Sequence, residues 1–99
     1  MDTLVIAEFP AMSGKLEELE ALLRAALPDT RAFDGCISIV TYLHHETETF
    51  TLIEYWESPE HYQRYLAWRI ENGLGELLDN VLDGGMAAFK PRTFVPTDI

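Results

Sequence analysis

Residues 53 to 66, IEYWESPEHYQRYL, concentrate side chains that could hold a flat molecule and act on it. Four aromatic rings and one histidine fall within these fourteen positions. Trp56, Tyr62 and Tyr65 each combine a large apolar ring with an N–H or O–H group at its rim, so each can pack against a planar ligand and also hydrogen-bond to it. The segment therefore predicts either ordinary core packing or the wall of a pocket for an aromatic molecule.

An acidic residue lies among these rings. Glu54 stands two residues before Trp56 and two after Leu52, and residues two apart on a strand share one face. A carboxylate on such an apolar face needs a basic partner such as Arg69, a donor on a bound ligand, or a raised pKa. With a basic partner Glu54 would merely order the sheet. Without one, it is a candidate acid–base group.

Two adjacent histidines offer a different chemistry. His44, His45 and Glu46 follow one another, but neighbouring side chains on a strand point to opposite faces and cannot chelate one ion without a turn. We therefore predict a solvated hairpin loop and no metal site. If one histidine acts as a base, His44 is favoured, because it shares strand parity with Tyr42 and Val40.

Six elements are predicted to position these groups, from hydrophobic periodicity and turn signals. The first half has a strand from Thr3 to Phe9, a helix from about residue 14 to the low thirties with Ser13 as N-cap, and two hairpin strands within residues 36 to 57. The second half has a helix begun by Ser58-Pro59, a further helical piece over Leu74 to Leu82, and a last strand from Met86 to about Val95.

The helix that follows Ser58 is expected to carry much of the chemistry. Tyr62, Tyr65 and Arg69 fall on one helical stripe. Trp68 lies roughly 80 degrees away from that stripe, at about 100 degrees per residue, and is predicted to be a rim or dimer residue as readily as a pocket residue. His61 follows the helix start and is expected to be exposed.

The order βαββαβ predicts the ferredoxin-like α+β fold, a four-stranded antiparallel sheet with its helices on one face. The strands carry apolar residues on the opposite face as well, and a chain of 99 residues has no further element to cover it. A second copy is the economical cover, so we predict a homodimer.

Length and charge exclude several classes of protein. Ninety-nine residues predict a single domain, residues 1–99. Seven basic against seventeen acidic residues give a net charge of −10, which repels nucleic acid and anionic membranes. Neither a basic leader nor an apolar run long enough to span a membrane is present, so a soluble, cytoplasmic protein is expected. The lone Cys36 allows no internal disulfide and is expected to act as a small buried hydrophobe.

The ordered segments VIAEF, MSGKLEELEALLRAAL, DGCISIVTYL and FTLIEYWESPEHYQRYL resemble the antibiotic biosynthesis monooxygenase domain family, whose members are dimeric α+β barrels. The resemblance covers roughly residues 3 to 95. Its most telling part is the E-x-W-E-S sequence at Glu54 to Ser58, followed by an aromatic residue on the helix.

The resemblance implies a cofactor-independent monooxygenase that acts on a phenolic, quinol-like or polyketide-type aromatic molecule with molecular oxygen. In that branch of the family a substrate carbanion gives an electron to oxygen. Its implicated residues fall on Trp56, Tyr62 and His44, and an asparagine of the branch is replaced by Leu52. Together with the residue patterns above, this assigns substrate contacts to Tyr65, Glu54, Leu52 and Arg69.

Other chemistries on this fold are less well matched. The haem-degrading branch uses a tryptophan where this chain has Tyr65 and an axial histidine that residues 69 to 80 lack, so no haem is predicted. An isomerase with His44 and Glu54 as its acid–base pair, and a non-catalytic dimer that binds a hydrophobic metabolite, are the alternatives. No Walker loop or Ser-His-Asp order is present.

Overall fold

The computed structural model describes residues 2–99. In chain order its elements are β1 (Thr3–Pro10), α1 (Leu16–Arg31), β2 (Cys36–His44), β3 (Thr49–Trp56), α2 (Pro59–Glu71), α3 (Leu74–Val81) and β4 (Arg92–Phe94), with a short 3₁₀ helix at Gly85–Ala88 before β4. The four strands form one antiparallel sheet in the order β2-β3-β1-β4. This order confirms the predicted ferredoxin-like fold.

The strands alternate between a helix-covered face and an open one. In β1, Thr3, Val5, Ala7 and Phe9 are buried, whereas the residues between them are only partly covered or exposed. The buried face packs against the apolar stripe of α1, which includes Leu19, Leu23 and Leu27, and against Leu78 and Val81 of α3. The alternation follows from the two-residue period of a strand, and it fixes which side chains face the helices.

The first helix departs from its predicted start. The residue at the N-cap position is Lys15, and no side chain caps the helix, so the prediction that Ser13 caps it is wrong. Pro28 lies inside α1 without ending it, and the helix continues to Arg31. One proline costs a single backbone hydrogen bond and some crowding with the preceding turn, and packing of the apolar stripe of α1 on the sheet outweighs that cost.

The second helix starts as the sequence predicts. Ser58 has an extended backbone and its side chain accepts a 3.2 Å hydrogen bond from the backbone N–H of His61. Pro59 follows at the first helical position, where its missing N–H costs nothing. Strand β3 therefore ends and α2 begins within two residues, which holds Trp56 close to the first turn of the helix.

The predicted last strand, Met86 to about Val95, is mostly not a strand. Residues Gly85–Ala88 form the 3₁₀ helix, and β4 is confined to Arg92–Phe94. The carboxylate of Asp79 accepts a 2.8 Å hydrogen bond from the Met86 N–H, which holds the chain in a turn, and Pro91 has no N–H to give to a sheet. The short β4 pairs with residues 4 to 6 of β1.

The face of the sheet opposite the helices is uncovered in the single chain. Tyr42 is 58% exposed and Val40 50% exposed, and Tyr55 and Phe94 are also exposed. Exposed apolar side chains from β2, β3 and β4 thus share one open surface, which we call the outer face. Separately, none of the helices in the described residues is both long and apolar enough to cross a membrane.

Candidate functional site

A small cavity lies between the helices and the covered face of the sheet. Its volume is about 70 Å³, and we call it the inner cavity. Most of its wall is apolar and comes from the three α-helices, from β1 and β3, and from the segment before β4. These apolar residues are Phe9, Leu22, Leu23, Ala26, Leu27, Leu52, Leu66, Leu74, Leu77, Leu78 and Phe89. Its polar lining residues are Thr30, Glu54, Tyr62, Tyr65, Arg69 and Asn72. Such a wall suits an apolar ligand with a few oriented polar groups.

Glu54 is the one buried carboxylate in this wall. Only 4% of the residue is exposed, and no basic side chain within residues 2–99 forms an ion pair with it. Its Oε1 accepts a 2.9 Å hydrogen bond from the indole Nε1–H of Trp56, two residues along the same strand face. Burial raises the pKa of Glu54 to about 7, although the indole hydrogen bond opposes that rise. Glu54 is therefore poised to hold or release a proton near neutrality.

Trp56 and Tyr62 form the aromatic wall behind this carboxylate. Trp56 is fully buried, and its ring meets that of Tyr62 edge-on at 5.5 Å and that of Tyr65 at 5.1 Å. Burial, and to a smaller extent the charge of Glu54, raises the pKa of the Tyr62 phenol. The phenol therefore stays protonated, and its hydroxyl can only donate or accept a hydrogen bond. Trp56 does not line the cavity, and it acts on that space through Glu54.

A hydrogen-bonded network around Arg69 forms the other polar part of the wall. Arg69 donates from Nε to the Tyr65 hydroxyl at 2.9 Å, and from Nη2 to Thr30 Oγ1 and the Ala26 carbonyl at 2.8 Å each. Since Thr30 has one hydroxyl hydrogen and gives it to the Ala26 carbonyl, the hydrogen between Tyr65 and Thr30 Oγ1, 2.7 Å apart, comes from Tyr65. Thr30 then donates to the Ala26 carbonyl at 3.3 Å. Both hydroxyl hydrogens and the hydrogens on Arg69 Nε and Nη2 have partners, which favours one arrangement of the network.

The guanidinium of Arg69 has no acidic partner. No carboxylate in the described part of the chain lies within ion-pair distance of it. Its carbon lies 4.7 Å from the centre of the Trp68 ring and 5.4 Å from that of Tyr65, a cation–π arrangement that holds it in place. The inner cavity therefore has a positive group and an ionisable carboxylate in its wall that do not neutralise each other directly.

The structure brings together most of the residues singled out from the sequence. Leu52, Glu54, Tyr62, Tyr65 and Arg69 all line the inner cavity. They come from β3 and α2, which the corner at Ser58 and Pro59 places side by side.

His44 is the exception and requires a correction. It is exposed at the end of β2, with Nδ1 3.0 Å from Thr47 Oγ1. Ile39 of β2 is buried under the helices, and His44 is an odd number of positions away from it, so its side chain belongs to the outer face. His44 is thus separated from Trp56 and Tyr62 by the sheet itself, contrary to the prediction that the three share a pocket.

Sequence reasoning missed the contributions of α1 and of the residues that directly follow it. Thr30 supplies the oxygen that joins Tyr65 to Arg69, and Phe33 packs 5.3 Å from both Tyr65 and Trp68. One signal was available, because Thr30 continues the buried stripe of Leu23 and Leu27 at helical spacing. A hydroxyl on an otherwise apolar stripe indicates a polar partner across the core.

Comparisons with known proteins bear on the same region. The sequence model of a family described as antibiotic biosynthesis monooxygenase matches residues 3–68. A solved protein from Shewanella oneidensis is similar with a TM-score of 0.79 and 23% identity, over 94% of this chain and 88% of that one. One from Mycobacterium tuberculosis gives 0.71 and 26%, over 100% and 98% of the two chains.

A third similar structure has a stated activity. SnoaB from Streptomyces nogalater, described as a cofactor-independent oxygenase, gives a TM-score of 0.78 at 12% identity, over 99% of this chain and 95% of that one. At such identity the likeness establishes the fold alone. No curated protein sequence matches the chain.

Proposed function

The chain belongs to the antibiotic biosynthesis monooxygenase family, and from this premise we propose that it is a cofactor-independent monooxygenase. Its substrates would be molecular oxygen and a phenolic, quinol-like or polyketide-type aromatic molecule. The observation that carries the proposal is the buried Glu54, which faces an apolar cavity without a basic partner and has a pKa of about 7. SnoaB, which is described as a cofactor-independent oxygenase, has the same fold, so the fold is compatible with this reaction type.

In the proposed reaction Glu54 acts as the general base. Its carboxylate takes a proton from the activated carbon of the substrate, and the resulting carbanion passes one electron to oxygen. The substrate radical and superoxide then combine to form a carbon–oxygen bond. The peroxide takes the proton back from Glu54, and loss of water leaves a carbonyl group. A base with a pKa near the ambient pH suits both proton transfers.

Other residues of the wall would stabilise the anion and keep water out. Arg69 supplies a fixed positive charge, and Tyr62, whose hydroxyl makes no hydrogen bond within the described residues, offers a donor to a substrate oxygen. Leu52 and its apolar neighbours limit the access of water, which strengthens these interactions. Trp56 is a positioning residue, because it holds the Glu54 carboxylate without reaching the cavity.

The size of the inner cavity implies a conformational change. A cavity of roughly 150 Å³ can hold one benzene molecule, whereas the inner cavity has about 70 Å³. A polycyclic substrate would therefore require a wall to move. The residues Leu74 and Leu77 of α3 line the cavity, and α3 begins after Gly73, whose φ of 93° favours glycine. We expect α3 to be the element that moves.

Oxygen uptake tests the proposal directly. A panel of hydroquinones and anthrones is offered to the wild type, to Glu54→Gln and to His44→Gln, and oxygen is followed with an electrode. We expect uptake by the wild type and by His44→Gln, and loss of most of it in Glu54→Gln, which keeps the shape of the side chain but cannot take a proton. The proposal fails if no compound is oxidised, or if Glu54→Gln is as active as the wild type.

We also propose that the working unit is a homodimer closed across the outer face. Exposed Val40, Tyr42, Tyr55 and Phe94 make this surface apolar, and a second copy would cover it with the same residues. The alternative of an isomerase with His44 and Glu54 as its acid–base pair loses support, since the two lie on opposite faces of the sheet.

A further inference from the structure

A second cluster of ionisable side chains lies outside the inner cavity, at the corner where β3 passes into α2. The cluster consists of Asp34, Glu57 and His61. One carboxylate oxygen of each acidic residue and one imidazole nitrogen of His61 lie within 4.8 Å of one another. The pair His61 Nε2 and Asp34 Oδ2 is 3.9 Å apart. None of the three lines the inner cavity, so they have no part in the chemistry proposed above.

The backbone brings these residues together from distant parts of the sequence. Cys36 pairs with Trp56 in the sheet, and the Glu57 N–H donates a 2.8 Å hydrogen bond to the Gly35 carbonyl. The Asp34-Gly35 turn is therefore tied to the start of the corner that leads to α2. Gly35 has a φ of 90°, and a side chain there would collide with the imidazole of His61. The hydrogen bond to Gly35 holds the turn beside the corner, and the absence of a side chain at Gly35 lets the imidazole lie against it.

The imidazole is oriented by a hydrogen bond from its far side. Ser58 Oγ lies 2.6 Å from His61 Nδ1 and also accepts the backbone N–H of His61. A serine oxygen can accept both hydrogens, and the tautomer with its hydrogen on Nδ1 leaves the Nε2 lone pair, 3.9 Å from Asp34 Oδ2, available to an ion. This is the outer hydrogen bond that metal-binding histidines commonly have.

From this geometry we propose that Asp34, Glu57 and His61 bind a divalent transition-metal ion of the Zn²⁺ type. Donors about 2.0 to 2.2 Å from a tetrahedral zinc are roughly 3.3 Å apart, so the two exposed carboxylates need to swing inward only slightly. Two carboxylates and a neutral imidazole balance the charge of the ion. They outweigh the partial positive charge of about one half at the start of α2.

The imidazole and the exposure of the site decide which ion suits it. Nitrogen ligands favour zinc and its neighbours, whereas magnesium and calcium favour all-oxygen sites. Three protein ligands leave at least one position for water. Asp34 follows Phe33 and Glu57 follows Trp56 in the sequence, and the rings of Phe33 and Trp56 lie 6.5 Å apart. The bound ion would therefore link the two segments that carry these rings. Its expected role is to stabilise this corner.

Zinc binding to the untagged full chain tests the proposal. Calorimetric titration with Zn²⁺ is expected to give one ion per chain in the micromolar range and little heat with Mg²⁺. His61→Gln and Asp34→Asn should each weaken binding by more than about tenfold. The matched controls His45→Gln and Glu60→Gln remove an exposed histidine and an exposed carboxylate outside the cluster, and both should bind zinc as the wild type does.

Thermal unfolding supplies a second readout that does not depend on calorimetry. Zinc should raise the Tm of the wild type and of both controls relative to the same protein in EDTA, and should leave the Tm of His61→Gln unchanged. Circular dichroism in EDTA checks that each variant is folded, and Glu57→Gln replaces any variant that is not. The proposal is overturned if zinc does not bind stoichiometrically in this range, or if folded cluster variants bind it as tightly as the controls.

Discussion

The Trp56 indole donates its hydrogen bond to Glu54 at 2.9 Å, and this is the only side-chain hydrogen bond that the buried carboxylate receives within residues 2–99. The two residues are two apart on β3, so the strand itself aligns them on the helix-covered face. An indole favours the charged carboxylate without neutralising it. Glu54 is thus held in a fixed orientation while burial keeps its pKa close to neutrality.

Replacing Trp56 with phenylalanine should shift the activity to higher pH. The substitution keeps an aromatic ring but removes the donor that lowers the pKa of Glu54, so a larger share of the carboxylate is protonated at a given pH. We expect the acidic limb of the pH profile of kcat/KM, where activity is lost as the carboxylate is protonated, to move to higher pH. The control Trp68→Phe, on the far side of Tyr65, should leave the pH of this limb unchanged. An unchanged limb in Trp56→Phe would show that the indole has no effect on the base.

Glu54 should make the protein less stable as the pH rises. Its pKa in the folded protein is about 7, above the ordinary value of 4.5, so the folded state binds more protons than the unfolded state between these values. The contribution of Glu54 to the free energy of unfolding is therefore greatest below pH 4.5. This contribution, up to about 3 kcal/mol, is lost as the pH rises through 7. Urea unfolding at pH 5 and pH 8 measures the difference.

The matched variant isolates this effect from other groups. Glu54→Gln has no titratable side chain, so its unfolding free energy should vary less between the two pH values than that of the wild type. The control Glu46→Gln, in the exposed hairpin loop, should retain the wild-type variation. Equal pH dependence in all three proteins would mean that Glu54 titrates normally.

Much of this arrangement can be predicted from the sequence. The parts that cannot be predicted share one cause. Helical periodicity places Tyr62 and Arg69 on one stripe, and the Ser58-Pro59 pair marks the start of α2, because both depend on neighbours in the chain. The face on which His44 lies depends on how β2 pairs with β3, and Thr30 meets Arg69 only through tertiary packing. Alternation along a strand shows which residues share a face of the sheet. It does not show which of the two faces the helices cover.

The end of the chain illustrates the same limit. Residues 86 to 95 have the composition of a strand, yet the first of them lie in a 3₁₀ helix, where the Met86 N–H donates a hydrogen bond to the Asp79 carboxylate. The Asp34, Glu57 and His61 cluster was equally hidden. Asp34 precedes the other two residues by more than twenty positions, and it meets them only because β2 begins beside the end of β3.

The Arg69 network should show measurable coupling in stability. Arg69→Met keeps the apolar stem, and Tyr65→Phe keeps the ring, but each removes the hydrogen bond between the two side chains. A double-mutant cycle in urea should give a coupling energy of about 1 kcal/mol or more, since the bond is charged and partly buried. The exposed pair Arg24 and Glu20, at 3.0 Å, is the control and should couple by less than about 0.5 kcal/mol. Coupling no larger than in the control would mean that the network is not a unit.

A charge on the outer face should separate the proposed dimer. Tyr42 is 58% exposed in the single chain, and Tyr42→Glu would bury two like charges against each other across a twofold axis, which costs more than the lost apolar contact alone. Size-exclusion chromatography with light scattering should give twice the chain mass of 11.3 kDa for the wild type and 11.3 kDa for the variant. Ala25→Glu, on the exposed side of α1, is the matched control and should remain dimeric. A monomeric wild type at micromolar concentration, or a dimeric Tyr42→Glu protein, would mean that the outer face is not the dimer interface.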